Sequence, residues 1–215
     1  MLERVVVESA PDVKTPIFAV GFPGVGNVGL IALDLLLKFS DGKKFGNYYS
    51  KNFPDHIVIQ DDGVCHLPRL EFFASKSVDP NVVIVMSNTP ILSEDPKSYY
   101  DVLDDIVRFA LELHSSMLIA VDGVATMSEK LDIIHVSATD PKLVIDFEKL
   151  GAHSYEAGRL PGSIGLLVGL SEYHGLKGIG LLGSAASFLP DNEAGKRVHD
   201  FLVKALHLTR VDAPV

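Results

Sequence analysis

The chain has 215 residues, of which 47% are hydrophobic and 22% are charged, and its formal net charge is -9. This length suits one large domain over residues 1–215 and is short for two domains. The acidic balance and the lack of any run of Lys or Arg argue against a phosphate-backbone partner, so no nucleic acid is expected to bind.

Three features of the sequence bear on targeting and membrane association. The N-terminal sequence has no basic region followed by an apolar block, and therefore shows no secretory pattern. The longest apolar stretch, residues 28–37, contains Gly29 and Asp34 and is too short to span a bilayer. The single cysteine, Cys65, excludes an internal disulfide and is compatible with a reducing compartment. We expect a cytoplasmic protein without membrane contact.

The first elements along the chain form a strand, a glycine-dense turn and a helix. Residues 17–20 are a continuous apolar run that predicts a buried strand, and residues 30–37 predict a helix. The segment between them, residues 21–29, contains four glycines. A second strand is predicted at residues 45–49.

Residues 51–76 predict a hairpin insertion, because Asp61-Asp62-Gly63 is a turn signal between two short runs. Cys65 stands beside His66 in this segment. Adjacent residues of a strand face opposite sides, so a thiolate–imidazole pair is disfavoured and a buried, inert thiol is predicted.

The rest of the chain alternates strands with helices. Further buried strands are predicted at 82–86, 117–121, 133–136 and 178–182, and amphipathic helices near 100–111 and 198–206. Asp95-Pro96 and Asp140-Pro141 predict helix starts, and Ser163 is predicted to cap the helix over 164–173. The pattern predicts an α/β sandwich with a mixed, largely parallel sheet and helices on both faces.

The glycine-dense turn allows two interpretations. Gly24, Gly26 and Gly29 match the G-x-G-x-x-G spacing of dinucleotide-binding turns, between a strand and a helix as that motif requires. On this interpretation the chain is a nucleotide- or nucleoside-binding enzyme whose ligand is held by Gly24, Gly26, Asn27 and Gly29. On the other, the glycines only permit a sharp turn and close helix–sheet packing.

Residues that would complete a nucleotide site are missing from the sequence. A P-loop needs Lys and Ser or Thr where this chain has Asn27 and Val28. A dinucleotide site also needs an acid at the end of the second strand, but no carboxylate follows Tyr49 until Asp55, beyond Pro54. These gaps favour the structural interpretation.

No catalytic or metal-binding constellation emerges elsewhere. The eight histidines are scattered, and none forms an i, i+4 pair with another. Ser163 and Ser184 both fail the nucleophile-elbow pattern. No catalytic residue, metal or cofactor is therefore predicted.

Five segments, taken together and in this order, give the chain a resemblance to the proteasome-assembly-chaperone family. They are Gly21-Phe22-Pro23-Gly24-Val25-Gly26-Asn27-Val28-Gly29; Phe53-Pro54 with the later Asp62-Gly63; Leu67-Pro68-Arg69-Leu70-Glu71; Val121-Asp122-Gly123-Val124-Ala125-Thr126; and the stretch from Gly162 to Asp191. Each segment is weak alone, but their order over about 170 residues is hard to produce by general α/β character.

The resemblance implies a fold like that of purine nucleoside phosphorylases, without their catalytic residues. It also implies a homo-oligomer that binds proteasome α subunits during assembly. Some archaeal-type members end in a hydrophobic-Tyr-X tail, whereas this chain reads Asp212-Ala213-Pro214-Val215, so docking by such a tail is not expected. A non-enzymatic, oligomeric, chaperone-like binding protein is the prediction, with the nucleotide-binding enzyme as the alternative.

Overall fold

The computed structural model describes residues 4–7, 10–59, 62–90, 96–126 and 132–211. Its strands are β1 (Arg4–Val7), β2 (Ile17–Gly21), β3 (Lys43–Tyr49), β4 (Val58–Ile59), β5 (Cys65–His66), β6 (Leu70–Ser75), β7 (Val78–Asp79), β8 (Val82–Ser87), β9 (Met117–Ala125), β10 (Ile134–Ala138), β11 (His153–Ser154), β12 (Gly178–Ala185) and β13 (Thr209–Arg210). Its α-helices are α1 (Val28–Ser40), α2 (Pro96–Glu112), α3 (Pro141–Glu148), α4 (Gly162–Tyr173) and α5 (Asn192–Ala205).

Nine strands form one mixed sheet in the order β1-β3-β6-β8-β2-β9-β12-β10-β11. The central neighbours β8, β2, β9 and β12 are parallel to one another. Strands β1, β3 and β6 extend the sheet on the β8 side by antiparallel pairing. The predicted strands of the sheet centre are therefore confirmed.

Helices cover both faces of this sheet, as continuous apolar strands require. All five residues of β2 and all eight of β12 are buried. Helices α1, α3 and α5 pack on one face through side chains that include Leu33, Phe147 and Phe201. Helices α2 and α4 pack on the other face through Leu103, Ile106 and Leu167, among others. The predicted three-layer α/β sandwich is confirmed.

The region predicted as a hairpin insertion, 51–76, divides into two parts. Strands β4 and β5 form a separate two-stranded antiparallel sheet, whereas β6 belongs to the central sheet. In the turn, the Asp62 carboxylate accepts a hydrogen bond from the Val64 N–H at 2.9 Å. Gln60 and Asp61 lie outside the described residues.

The predicted burial of Cys65 is wrong, because the thiol is exposed. Strand alternation implies burial only where one face of the strand meets the core. A two-stranded ribbon that lies outside the main sheet has no layer of its own to cover either face, so alternation does not imply burial there.

Two of the predicted helix caps can be compared with the structure. Asp140 caps α3, and its carboxylate accepts a hydrogen bond from the Lys142 N–H at 2.8 Å, as predicted. The prediction for Ser163 is wrong: α4 begins at Gly162, with Pro161 at the N-cap position. Gly162 adopts φ +80°, a left-handed conformation that favours glycine, and the Ser163 hydroxyl shares a hydrogen bond with Tyr99 instead of capping the helix. Asp95, the third predicted cap, lies outside the described residues.

None of the five described α-helices combines the length and the apolar character that crossing a bilayer requires.

Candidate functional site

A cleft of about 430 Å³ opens at the edge of the sheet where the parallel strands end. Its lining residues are Phe22, Pro23, Gly24, Val25, Asn27, Pro90, Tyr99, Asp122, Pro161, Gly162, Ser163 and Phe188. They come from the turns after β2 and β8, from α2, from the end of β9, from the start of α4 and from the loop after β12.

The topology of the sheet explains why a cleft forms at this edge. Strand β2 leads into α1 on one face, whereas its parallel neighbour β8 leads into α2 on the other face. Where the connections of two adjacent parallel strands diverge in this way, a crevice opens beyond their carboxyl ends, and α/β proteins bind ligands in such crevices.

Asp122 supplies the carboxylate of the cleft. It is the sixth residue of β9, and its Oδ1 accepts a hydrogen bond from the Gly123 N–H at 2.7 Å. Burial raises the Asp122 pKa from 3.8 to about 6, although the bond from Gly123 opposes that rise. Desolvation is therefore the dominant influence on this carboxyl group.

Aromatic side chains line the same cleft as that carboxylate. The Tyr99 hydroxyl shares a hydrogen bond with Ser163, and burial raises the Tyr99 pKa, with the nearby Asp122 charge acting in the same direction. Phe22 is buried, whereas the Phe188 side chain is 75% exposed at the mouth. The cleft therefore combines one carboxylate with largely apolar walls, and sequence reasoning did not single out Asp122, Tyr99 or Phe188.

The glycine-dense turn lies against this cleft, and protein atoms fill the space that its glycines leave. A Cβ at Gly24 would lie 2.2 Å from Oδ1 of Asp122. A Cβ at Gly29 would lie 2.2 Å from the backbone oxygen of Val121 in β9. The turn and the first residues of α1 therefore pack directly against β9, the strand next to β2.

The middle of the turn fixes the start of α5. Gly26 has φ +60° and Asn27 has φ +48°, and both residue types tolerate this left-handed region. The Gly26 carbonyl accepts a hydrogen bond from the Asp191 N–H at 2.9 Å. The Asp191 carboxylate in turn accepts one from the Ala194 N–H at 2.9 Å and caps α5.

This geometry disfavours phosphate at the turn. The carboxylate of Asp122 lies beside Gly24, where a phosphate would meet a like charge. The strand that follows α1 is β3, and β8 and β6 separate it from β2 in the sheet. At about 4.8 Å per strand, the end of β3 is roughly 14 Å away, so it cannot supply a ribose-binding acid next to the turn.

Comparison with known proteins places these features in a family. The sequence matches the PAC2 family over residues 18–213. The chain belongs to the PAC2 family.

Relatives of this PAC2 protein include two archaeal proteins of known structure. PbaB of Pyrococcus furiosus, an archaeal proteasome activator, is 28% identical with a TM-score of 0.88, over 99% of this chain and 92% of PbaB. PbaA of the same organism, an archaeal homologue of proteasome-assembly chaperone, is 25% identical with a TM-score of 0.77, over 97% and 87%. The uncharacterized protein MJ1210 of Methanocaldococcus jannaschii is 27% identical over 198 residues, or 89% of this chain and 74% of that protein.

Three of the five segments that carried the family resemblance in the sequence meet around the turn. Gly24 lies against Asp122, and Gly123 would place a Cβ 2.1 Å from the Val25 carbonyl oxygen. Gly26 binds Asp191 from the far end of the chain. These three segments therefore form one packed cluster of turns at the carboxyl edge of the sheet.

The histidines do not assemble into a site in the part of the chain that the structure describes. No group of three His, Cys, Asp or Glu side chains there has the geometry to hold a metal ion. His174 and His199 instead contact neighbouring carboxylates, at 2.6 Å from Asp104 and 3.0 Å from Asp200, respectively.

We predict that NAD, ATP and GTP at millimolar concentration leave the melting temperature of the protein unchanged. A nucleotide at 100 times its dissociation constant would add about 2.7 kcal/mol, or roughly 5 to 10 °C for a domain of this size. Thermal unfolding with each nucleotide, against matched salt and Mg²⁺ controls, measures this. A reproducible upward shift of several degrees would support the nucleotide-binding alternative.

Proposed function

We propose that this chain is a non-enzymatic, homo-oligomeric protein of the cytoplasm that binds proteasome α subunits during assembly. The observation that carries the proposal is its membership of the PAC2 family, together with its similarity to an archaeal proteasome activator over nearly the whole chain. The relation to PbaA, an archaeal homologue of proteasome-assembly chaperone, supports the same role.

The side chains of the cleft support a binding role over a catalytic one. Its described lining residues include no histidine, cysteine, lysine or arginine. Ser163 forms a hydrogen bond with Tyr99 and has no imidazole beside it among those residues. An activated nucleophile requires an adjacent base or a lowered pKa, and within the described cleft the partner of the Ser163 hydroxyl is Tyr99 rather than the Asp122 carboxylate.

Self-association is proposed through the small hairpin formed by β4 and β5. Four aliphatic side chains there are 47–64% exposed: Ile57, Ile59, Val64 and Leu67. An isolated two-stranded hairpin is marginally stable in water unless a further layer covers it. A second copy of the chain would supply that layer and bury the apolar side chains.

We expect light scattering coupled to size exclusion to give a mass that is a multiple of 23.3 kDa. Ile59→Asp should shift the mass towards the monomer, because it places a charge in the proposed apolar contact. Tyr173→Asp is the matched control, since Tyr173 is 81% exposed on α4 and the charge change is the same. A monomeric mass for the unaltered chain at micromolar concentration would contradict self-association.

Binding of α subunits is proposed on the loop between β12 and α5, where Phe188 and Leu189 are 75% and 76% exposed. We expect Leu189→Ser to weaken binding to labelled α subunits of the same organism about tenfold, or about 1.4 kcal/mol, through loss of an apolar anchor. A fluorescence titration measures the dissociation constant. The control, Tyr173→Ser, removes an equally exposed side chain from α4 and should leave binding unchanged.

Two further binding experiments test the proposed α-subunit contact. Deleting residues 212–215 should weaken binding less than tenfold, because the proposed contact lies on the folded domain. Association should slow as salt rises, because a net charge of -9 favours a basic surface on the partner. No binding at tens of micromolar would remove the proposed function, and complete loss on deletion would move the contact to the C-terminal segment.

A further inference from the structure

The cleft beside the glycine-dense turn has a property that α-subunit binding does not use. Its carboxylate has no basic partner: within the described residues, no Lys, Arg or His forms an ion pair with Asp122. Oδ1 accepts the Gly123 N–H, and Oδ2 accepts no hydrogen bond from those residues. Burial removes part of the hydration of this carboxylate, and within the described residues the Gly123 N–H replaces only some of it.

We propose that this cleft is a binding site for an organic cation, namely an ammonium or guanidinium group carried on an apolar stem. The cationic group contacts Oδ2 of Asp122, and the stem lies between the aromatic side chains. The proposal goes beyond the α-subunit contact and does not require it, and the two sites share Phe188.

The walls suit the stem of such a ligand. Phe22, Tyr99 and Phe188 line the cleft together with Pro23 and Pro161. Aromatic faces attract cations, and they attract them more strongly where water is excluded. A volume of about 430 Å³ lies within the usual range for small-molecule sites, which are mostly apolar with a few polar groups that fix orientation.

The same features select against anions. The carboxylate of Asp122 lies beside Gly24, so a phosphate or carboxylate ligand entering the turn would be repelled. Neutral ligands of the same shape would contact the apolar walls but would leave Oδ2 of Asp122 without an ionic partner. Discrimination between a cation and its neutral isostere is therefore the diagnostic property of this site.

The experiment compares benzamidine with benzamide, its neutral isostere, by NMR titration of the full chain. We expect benzamidine to bind with resonance shifts centred on the residues of the cleft, and benzamide to bind at least tenfold more weakly. Asp122→Asn should weaken benzamidine binding at least tenfold. Asp101→Asn, which removes an exposed carboxylate from α2 and changes the net charge equally, should leave it unchanged. A circular dichroism spectrum establishes that each variant is folded.

The source of the cation is resolved by a second probe, a capped Gly-Arg-Gly peptide compared with its citrulline counterpart. Binding of the arginine peptide in the cleft would assign the site to a basic side chain of a protein partner. Binding of benzamidine alone would assign it to a free small molecule. Equal binding of benzamidine and benzamide, equal affinity of Asp122→Asn, or no binding of either cation at millimolar concentration would overturn the proposal.

Discussion

Replacing Gly29 with alanine should lower the free energy of unfolding by about 3 kcal/mol. The new methyl carbon would lie 2.2 Å from the backbone oxygen of Val121. Because β9 is paired with β2 on one side and β12 on the other, that oxygen cannot retreat without disturbing the centre of the sheet. Denaturant unfolding of the purified variant measures the loss.

Gly169→Ala is the matched control for this prediction. Gly169 is an exposed helical glycine in α4, and a Cβ there would meet nothing within 4 Å. Alanine should therefore stabilise this position by about 0.5 to 1 kcal/mol through higher helix propensity. If the two variants had similar stabilities, the turn would not be pressed against β9, and the packing role of its glycines would be wrong.

The strands at the centre of the sheet could be predicted because their sequences are almost entirely apolar. The predicted parts of β2, β8 and β12, residues 17–20, 82–86 and 178–182, are continuous apolar runs, and a sheet covered on both faces accounts for such runs directly. Helices α2 and α5 carry apolar residues at helical spacing, which is equally direct evidence. The start of α3 could also be predicted from local sequence, because an aspartate before a proline is a strong signal for a helix N-terminus, and Asp140 does cap this helix.

The incorrect predictions depended on what surrounds a residue. Cys65 was expected to be buried on the basis of strand alternation, but the hairpin stands outside the sheet and its thiol is exposed. Ser163 was expected to be a cap, but α4 begins one residue earlier and the Ser163 hydroxyl bonds Tyr99 on another helix. Neither outcome can be predicted from the residues adjacent to Cys65 or Ser163 in the sequence.

The carboxylate of the cleft was overlooked for a related reason. Asp122 entered the sequence analysis only as one letter of a family pattern, in a strand of otherwise apolar residues. A carboxylate near the carboxyl end of a buried parallel strand was the available signal, because ligands of α/β proteins gather at that edge. Tyr99 and Phe188 could not be inferred, since a helix and a loop that are distant in sequence bring them to the cleft.

Replacing Asp122 with asparagine should raise the stability of the unliganded protein at neutral pH. Burial raises the Asp122 pKa to about 6 in the folded protein, against 3.8 for the free side chain. The folded state therefore holds the proton more tightly than the unfolded state, and stability falls as pH rises from about 4 to 6. At about 1.4 kcal/mol per unit, and with some solvent screening in an open cleft, ionisation costs roughly 2 to 3 kcal/mol above pH 6.

The pH dependence separates this effect from a change in packing. Asparagine cannot ionise but can still accept the Gly123 N–H, so Asp122→Asn should unfold about 4 to 12 °C higher than the unaltered chain at pH 7.5. The difference should nearly vanish at pH 4, where the aspartate is protonated in the folded state and the cost of ionisation is absent. Asp101→Asn, at an exposed position of α2, should stay within about 0.5 kcal/mol at both pH values. An equal gain in stability at pH 4 and pH 7.5 would mean that the shape of the side chain, rather than its charge, is responsible. A loss of stability at pH 7.5 would mean that the Asp122 carboxylate has a partner that stabilises its charge.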